Sequence, residues 1–158
     1  MPPAPVIRPA GVDDVEGAAD VYLAARHAAV PAIPPMVHTD DEVRAWFRTA
    51  VWTGRETWVA VVDAIVVGIL VLDGTEVEQL YVAPGRTGQE LGSRLLDQAK
   101  ALRPGGLALW VFAGNVGARR FYERHGFVEI GGTDGSGNEE GAPDVRCAWP
   151  GPQVRWRT

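Results

Sequence analysis

Three β-branched runs stand almost back to back in the middle of the chain, and they constrain the fold more than any other feature. Thr57 to Val62, Ile65 to Leu72 and Thr75 to Val82 are separated only by Asp63-Ala64 and Asp73-Gly74. Two-residue connections of this kind read as hairpins between strands. Alanine is a poor second residue for a type I′ turn, which needs φ > 0 there, so a different turn or a bulge is expected at Asp63-Ala64.

The flanks change period. Val6-Ile7-Arg8 is a short strand ended by Pro9-Ala10-Gly11. Asp13 with Glu16 reads as a capping box, and Val15, Ala18, Ala19 and Tyr22 follow at helical spacing to about Ala29. Pro31, Pro34 and Pro35 impose a loop as far as His38. Thr39 with Glu42 is a second capping box before an apolar face of Val43, Trp46, Phe47, Ala50 and Val51. After the strands, Pro84 to Glu90 is a polar loop. Leu91, Leu95, Leu96, Ala99 and Leu102 define an amphipathic helix that Pro104-Gly105-Gly106 stops. Leu107 to Phe112 is a strand. Asn115 caps a helix through Arg124, with Gly126 as its C′ glycine. Phe127 to Ile130 starts a strand, Gly131 to Pro143 is a long polar loop, Val145 to Trp149 is a final strand, and 150–158 is a tail. The order is β-α-α-β-β-β-α-β-α-β-β, an α/β chain of the mixed α+β kind: one sheet with helices on its faces. No repeat or linker divides residues 1–158, so a single domain is expected.

Composition removes several function classes. A chain of 158 residues, 46% hydrophobic and 22% charged, has enough apolar surface for one core. The net charge of −5 and the lack of a basic block argue against a nucleic-acid partner. One cysteine, Cys147, allows no internal disulfide framework and no cysteine zinc site, and no metal is expected; Cys147 reads as a small buried hydrophobe. The longest apolar stretch, Ala64 to Leu72, is nine residues, about half of what a membrane span needs. Met1 to Ala10 carries prolines and no apolar core of a signal peptide, so a cytoplasmic protein is expected.

The chemistry concentrates in two stretches. In Val82-Ala83-Pro84-Gly85-Arg86-Thr87-Gly88-Gln89-Glu90-Leu91-Gly92-Ser93 a strand ends, a glycine-bearing loop follows and a helix begins. Backbone N–H groups at a helix N-terminus suit an anion such as a phosphate. The spacing is neither a Walker loop nor a Rossmann fingerprint. The second stretch, Asn115 to Phe127, follows the next strand. Leu80-Tyr81-Val82-x-Pro84 with its loop, and Asn115-x-x-Ala118-x-x-Phe121-Tyr122-x-x-x-Gly126-Phe127, together resemble the GCN5-related N-acetyltransferase (GNAT) superfamily. The element order fits that family's fold over nearly the whole chain: a mostly antiparallel mixed sheet of about seven strands flanked by about four helices.

The resemblance implies an enzyme that moves an acetyl group from acetyl-CoA to a primary amine. It places the pyrophosphate of coenzyme A on the amides of Thr87, Gly88, Gln89, Glu90, Leu91, Gly92 and Ser93. It places the pantetheine arm and acetyl carbonyl on the strand end Leu80, Tyr81 and Val82. Asn115 and Ala118 fall beside the cofactor arm, and Tyr122 near the sulfur, as the acid that protonates the departing thiolate. The general base is commonly a strand glutamate, here Glu78, with Glu76 two residues earlier on the same strand face. Two positions depart from the pattern Arg/Gln-x-x-Gly-x-Gly/Ala: Thr87 stands at its first place and Glu90 at its first glycine. A carboxylate there repels a pyrophosphate, and its Cβ disfavours φ > 0. The alternative reading is therefore a non-catalytic or weakened acyl-CoA-binding relative.

By the same resemblance the acceptor end comprises Ala28 to Trp46 and Gly131 to Val145. Both are acidic, which favours a cationic amine on a small molecule, an amino acid-like compound or a peptide N-terminus. His38 and Trp46 are candidate substrate contacts, with Glu76. Apolar edges such as the final strand make a homodimer an expectation.

Overall fold

A computed structural model describes residues 4–49, 53–87 and 90–150. Ala50 and Val51 of the second helix's apolar face, Gly88 and Gln89 of the glycine-bearing loop, and residues 151–158 lie outside the described residues. The elements run β1 (Val6–Pro9), α1 (Val15–Ala29), α2 (Asp40–Thr49), β2 (Glu56–Val62), β3 (Ile65–Asp73), β4 (Glu76–Val82), α3 (Leu91–Leu102), β5 (Gly106–Phe112), α4 (Val116–Arg124), β6 (Val128–Thr133) and β7 (Asp144–Pro150). The expected order holds throughout. No helix among the described residues is long and apolar enough to cross a membrane.

The seven strands form one sheet in the order β1-β2-β3-β4-β5-β7-β6. β1 to β4 pair antiparallel, as do β5, β7 and β6. The two antiparallel blocks meet at β4 and β5, which are parallel and share one registered pair, Glu76 with Ala108. The final strand is interior, because β6 lies outside it. The apolar edge is therefore β6, where Val128 and Ile130 are exposed.

Both faces of the first block are covered, which is why β3 reads as an unbroken apolar run. Leu70 and Leu72 pack with Leu91, Leu95, Leu96 and Ala99 of α3. Ile69 and Val71 pack on the other face with Ala18, Ala19 and Tyr22 of α1 and Phe47 of α2. Cys147 belongs to the first of these cores and is 2% exposed.

Four local expectations are corrected. The start of α1 is organised by Asp14, not by Asp13 with Glu16. The Asp14 carboxylate accepts from the Gly11 N–H at 2.7 Å and from Arg8 at 2.7 and 3.1 Å, while Glu16 reaches across to Arg48. At the β2–β3 turn Asp63 and Ala64 have φ of 51° and 63°, the left-handed pair of a type I′ turn, with a bulge at Ala60/Val61. The twist of two tightly paired strands outweighs the alanine's steric cost. β6 continues through Gly131 and Gly132 to Thr133, so the polar loop starts later than expected; Pro150 ends β7 and is not tail. In β4 a bulge lets Val71 face Gln79 and Leu72 face Val77, leaving Glu78 as the extra residue. Such a bulge reverses the face of everything beyond it. Glu76 and Glu78 consequently do not follow simple alternation. The capping box of α2 is as read: Thr39 N–H donates to Glu42 at 2.9 Å and Glu42 N–H to Thr39 Oγ1 at 3.2 Å.

Candidate active site

Strands that run parallel yet share one pair must diverge. Beyond Glu76 no residue of β4 is in register with β5, while Leu80, Tyr81 and Val82 stay paired to β3 on the other side. The edge of β4 that faces β5 is thus left without a ladder partner. The fork opens into a cleft of about 510 Å³. Its walls come from both faces of the sheet, so it passes between the two cores.

One half of the cleft is local in sequence. Leu80, Tyr81, Val82, Pro84 and Thr87 line it from β4 and the following turn, and Asn115, Ala118 and Tyr122 from α4. Asn115 Oδ1 accepts from the Ala118 N–H at 3.2 Å, so its oxygen caps α4. Tyr122 packs edge-on to Phe121 and Phe127, and burial pushes its phenol well above the usual tyrosine value. Thr87 is exposed and its hydroxyl bonds the Pro84 carbonyl. Glu90 precedes α3 in the left-handed conformation, φ 61° and ψ 16°. The glycine place in the motif therefore needs a positive φ, and a glutamate holds it. Leu91 faces the core. Gly92 packs α3 beside α4: a Cβ there would stand 3.4 Å from the Phe121 ring, in close van der Waals contact. Ser93 Oγ pairs with His125 Nε2 at 3.0 Å, a contact the sequence reading missed. Burial, then Lys100, lowers the His125 pKa.

The other half is assembled from distant positions. Ala25, Ala28 and Ala29 of α1, Ile33, Trp110 to Phe112 of β5, and Asn138, Glu140 and Asp144 line it, with Glu78. Behind the wall sits a buried polar cluster. Arg26 Nη1 donates to the Tyr22 hydroxyl at 2.9 Å, and Nη2 lies 3.6 Å from Glu140 Oε2. Tyr81 stands 5.1 Å from Tyr22 ring to ring, and burial pushes its phenol up to about 12. Burial opposes the charge on Arg26, but Tyr22, Tyr81 and Glu140 outweigh it and the guanidinium stays charged. The sequence reading missed this cluster; its one signal was an arginine four residues after Tyr22, on the apolar stripe of the first helix.

The remaining sequence candidates are scattered. Glu78 lines the cleft and accepts from Arg55 Nε at 2.6 Å. Glu76 forms an ion pair with Arg146 at the closed end of the fork and is not in the lining. His38 is exposed and pairs with Glu139 at 3.2 Å, tying the α1–α2 connection to the loop before β7. Trp46 packs against Tyr22 and Phe47. His38 and Trp46 lie outside the cleft lining.

Comparison with known proteins gives a partial match to a family. Residues 53–129 match the "Acetyltransferase (GNAT) domain" family. The peptidyl-lysine N-acetyltransferase YjaB of Salmonella typhimurium is 37% identical over 75 residues, 47% of this chain and 51% of that protein, so the match spans about half of the relative's length. Among solved structures, apo YjaB from Escherichia coli superposes with a TM-score of 0.77 at 23% identity, over 94% of this chain and 99% of the other. A GCN5-related N-acetyltransferase from Rhodopseudomonas palustris gives 0.76 at 21% over 95% and 98%. The PaiA N-acetyltransferase of Thermoplasma acidophilum, solved with coenzyme A, gives 0.69 at 20% over 94% and 99%.

Proposed function

We propose, on the premise that this chain belongs to the GNAT superfamily, that it is an N-acetyltransferase carrying an acetyl group from acetyl-CoA to a primary amine. The observation that carries the reading is the fork itself. The unpaired edge of β4 at Leu80 to Val82 and the half-buried Tyr122 border one cleft. The α3–α4 half would hold acetyl-CoA, with the start of α3 at the pyrophosphate and Asn115 and Ala118 along the arm.

Each step falls to a residue of this chain. Glu78, steadied by Arg55, takes a proton from the acceptor ammonium. The freed nitrogen lone pair attacks the thioester carbonyl carbon. A backbone N–H on the free edge of β4 donates to the oxygen as it gains charge. The tetrahedral centre collapses, the C–S bond breaks, the Tyr122 hydroxyl gives its proton to the thiolate, and the second proton that the nitrogen sheds as it becomes an amide restores the phenol. Burial suits Tyr122 to this step, because it holds the phenol in its protonated form. The name of the YjaB relative extends the candidate acceptors to a peptide lysine.

A second reading rests on Glu90. Its carboxylate begins α3 where a pyrophosphate would lie, which fits a relative with weakened cofactor binding. Calorimetric titration with acetyl-CoA, with Glu90→Gly alongside, separates the two. Micromolar binding by the natural chain, followed by thiol release with an amine, is the expected result. Binding only by Glu90→Gly favours the second reading. Binding by neither removes both.

A further inference from the structure

Arg26 is buried with donors that it does not use. It is 6% exposed, and among the described residues its Nη1 donates to Tyr22, with the Tyr81 phenol beside it. Nε and Nη2 are shut off from solvent and have no acceptor among the described residues. Glu140 Oε2, at 3.6 Å, is near enough for attraction and too far for a hydrogen bond. Unmade hydrogen bonds on a buried charge are costly, so open donors of this kind call for a partner.

The place is specific. Tyr81, Phe112 and Glu140 surround the guanidinium and also line the cleft. Ala25 and Ala29, beside it on α1, line the cleft too, and Arg26 lies directly behind that lining, with Glu140 between it and the cleft. Nε and Nη2 form the edge of the guanidinium fork that grips a carboxylate with two parallel bonds. A few residues away Asp144 lines the same cleft, and it is held by neutral donors, Thr133 Oγ1 at 2.5 Å and Asn138 Nδ2 at 3.4 Å. The acceptor half thus offers open donors for an anion and a carboxylate without a cationic partner among the described residues.

We propose that Arg26 binds a carboxylate of the acceptor, that the acceptor is a small molecule of the amino-acid class carrying amine and carboxylate together, and that Glu140 stands in for that carboxylate until the acceptor binds. The inference names the substrate class of the site under Proposed function and rests on that reading. Glu140 sits on the loop between Thr133 and Asp144 and withdraws as the acceptor carboxylate reaches Arg26.

The test titrates the twenty amino acids, each against its C-terminal amide, into the free protein and into protein saturated with coenzyme A. An acid that binds at least tenfold more tightly than its amide is expected. Arg26→Met is expected to erase the difference and, in turnover, to raise KM for the acid with little change in kcat. Thermal unfolding checks that this variant folds. Glu140→Gln, a change on the loop that spares α1, is expected to tighten the acid severalfold by removing its competitor. Acid and amide binding alike, a looser acid in Glu140→Gln, or a lysine peptide blocked at both ends outrunning every free amino acid would overturn the proposal. If coenzyme A binds and no amino acid does, this inference fails and the acetyltransferase reading stands. If amino acids bind and coenzyme A does not, the acetyltransferase reading fails and takes this inference with it, because there is then no acetyl acceptor to name.

Discussion

The α3–α4 half of the cleft draws on two short stretches, residues 80–87 and 115–122, whereas the α1 half gathers Ala25, Ile33, Phe112, Asn138 and Glu140 from across the chain, with Tyr22 and Arg26 behind them. The first half offers mainly backbone: a free strand edge, a helix start, a glycine beside Phe121. The second offers mainly side chains held by ion pairs and ring contacts. Backbone geometry is fixed by the path of the chain and tolerates exchange of many neighbours. A side-chain cluster is fixed by partners that must all be present. On the proposed reading, this division would let one half serve a common donor while the other changes its acceptor.

The largest expected effect lies between the halves. Tyr122→Phe should lower turnover by roughly 10²–10⁴-fold, the range for losing a general acid, while acetyl-CoA still binds; steady-state kinetics with parallel calorimetry checks both. A chain that only binds acetyl-CoA would show no such split. Next come the two cores. Phe47→Ala should cost about 3–5 kcal/mol in denaturant unfolding, since Phe47 is 0% exposed and packs on Tyr22 at 5.3 Å. The loss should loosen the acceptor half first. Glu90→Gly should strengthen acetyl-CoA binding by about 1–3 kcal/mol, the scale of one charge contact, and relieve a left-handed residue. Unchanged affinity in calorimetry would refute this. Asn115→Ala should cost about 1 kcal/mol through the lost cap, read as a lower Tm.

The smallest effect is one of pH. The folded pKa of His125 lies below its unfolded value, first because of burial and then because of Lys100. Protonation therefore favours the unfolded chain. Its contribution is fully present above the unfolded value of about 6.5 and is lost as pH falls through the folded one. His125→Gln should flatten that acid-side slope in Tm-against-pH curves; an unaltered slope would assign it to other groups.

The contrast between the halves also explains what could be read from the sequence. Strand and helix order follows from hydrophobic period, and the α3–α4 half from motifs contiguous in the chain, so both were legible. Shifts of one residue were not. Asp13 and Asp14 are the same residue type, and the positions of Arg8 and the Gly11 N–H select the second. Glu76 and Glu78 are two apart in sequence, yet a bulge that no local signal announces sends one to Arg146 and the other to Arg55. Arg26 and Glu140 are 114 positions apart, and nothing in either segment names the other.

The lone Glu76–Ala108 pairing joins two independently hydrogen-bonded blocks, as the pivot joins the blades of a pair of shears. Near that pivot, Arg146 of one block grips Glu76 of the other. Away from it, the blades diverge and leave the cleft between them. A molecule wedged deep in the fork touches both blades and becomes part of the joint. Ligand and sheet then come apart together, and the temperature at which this protein melts becomes a gauge of what it holds.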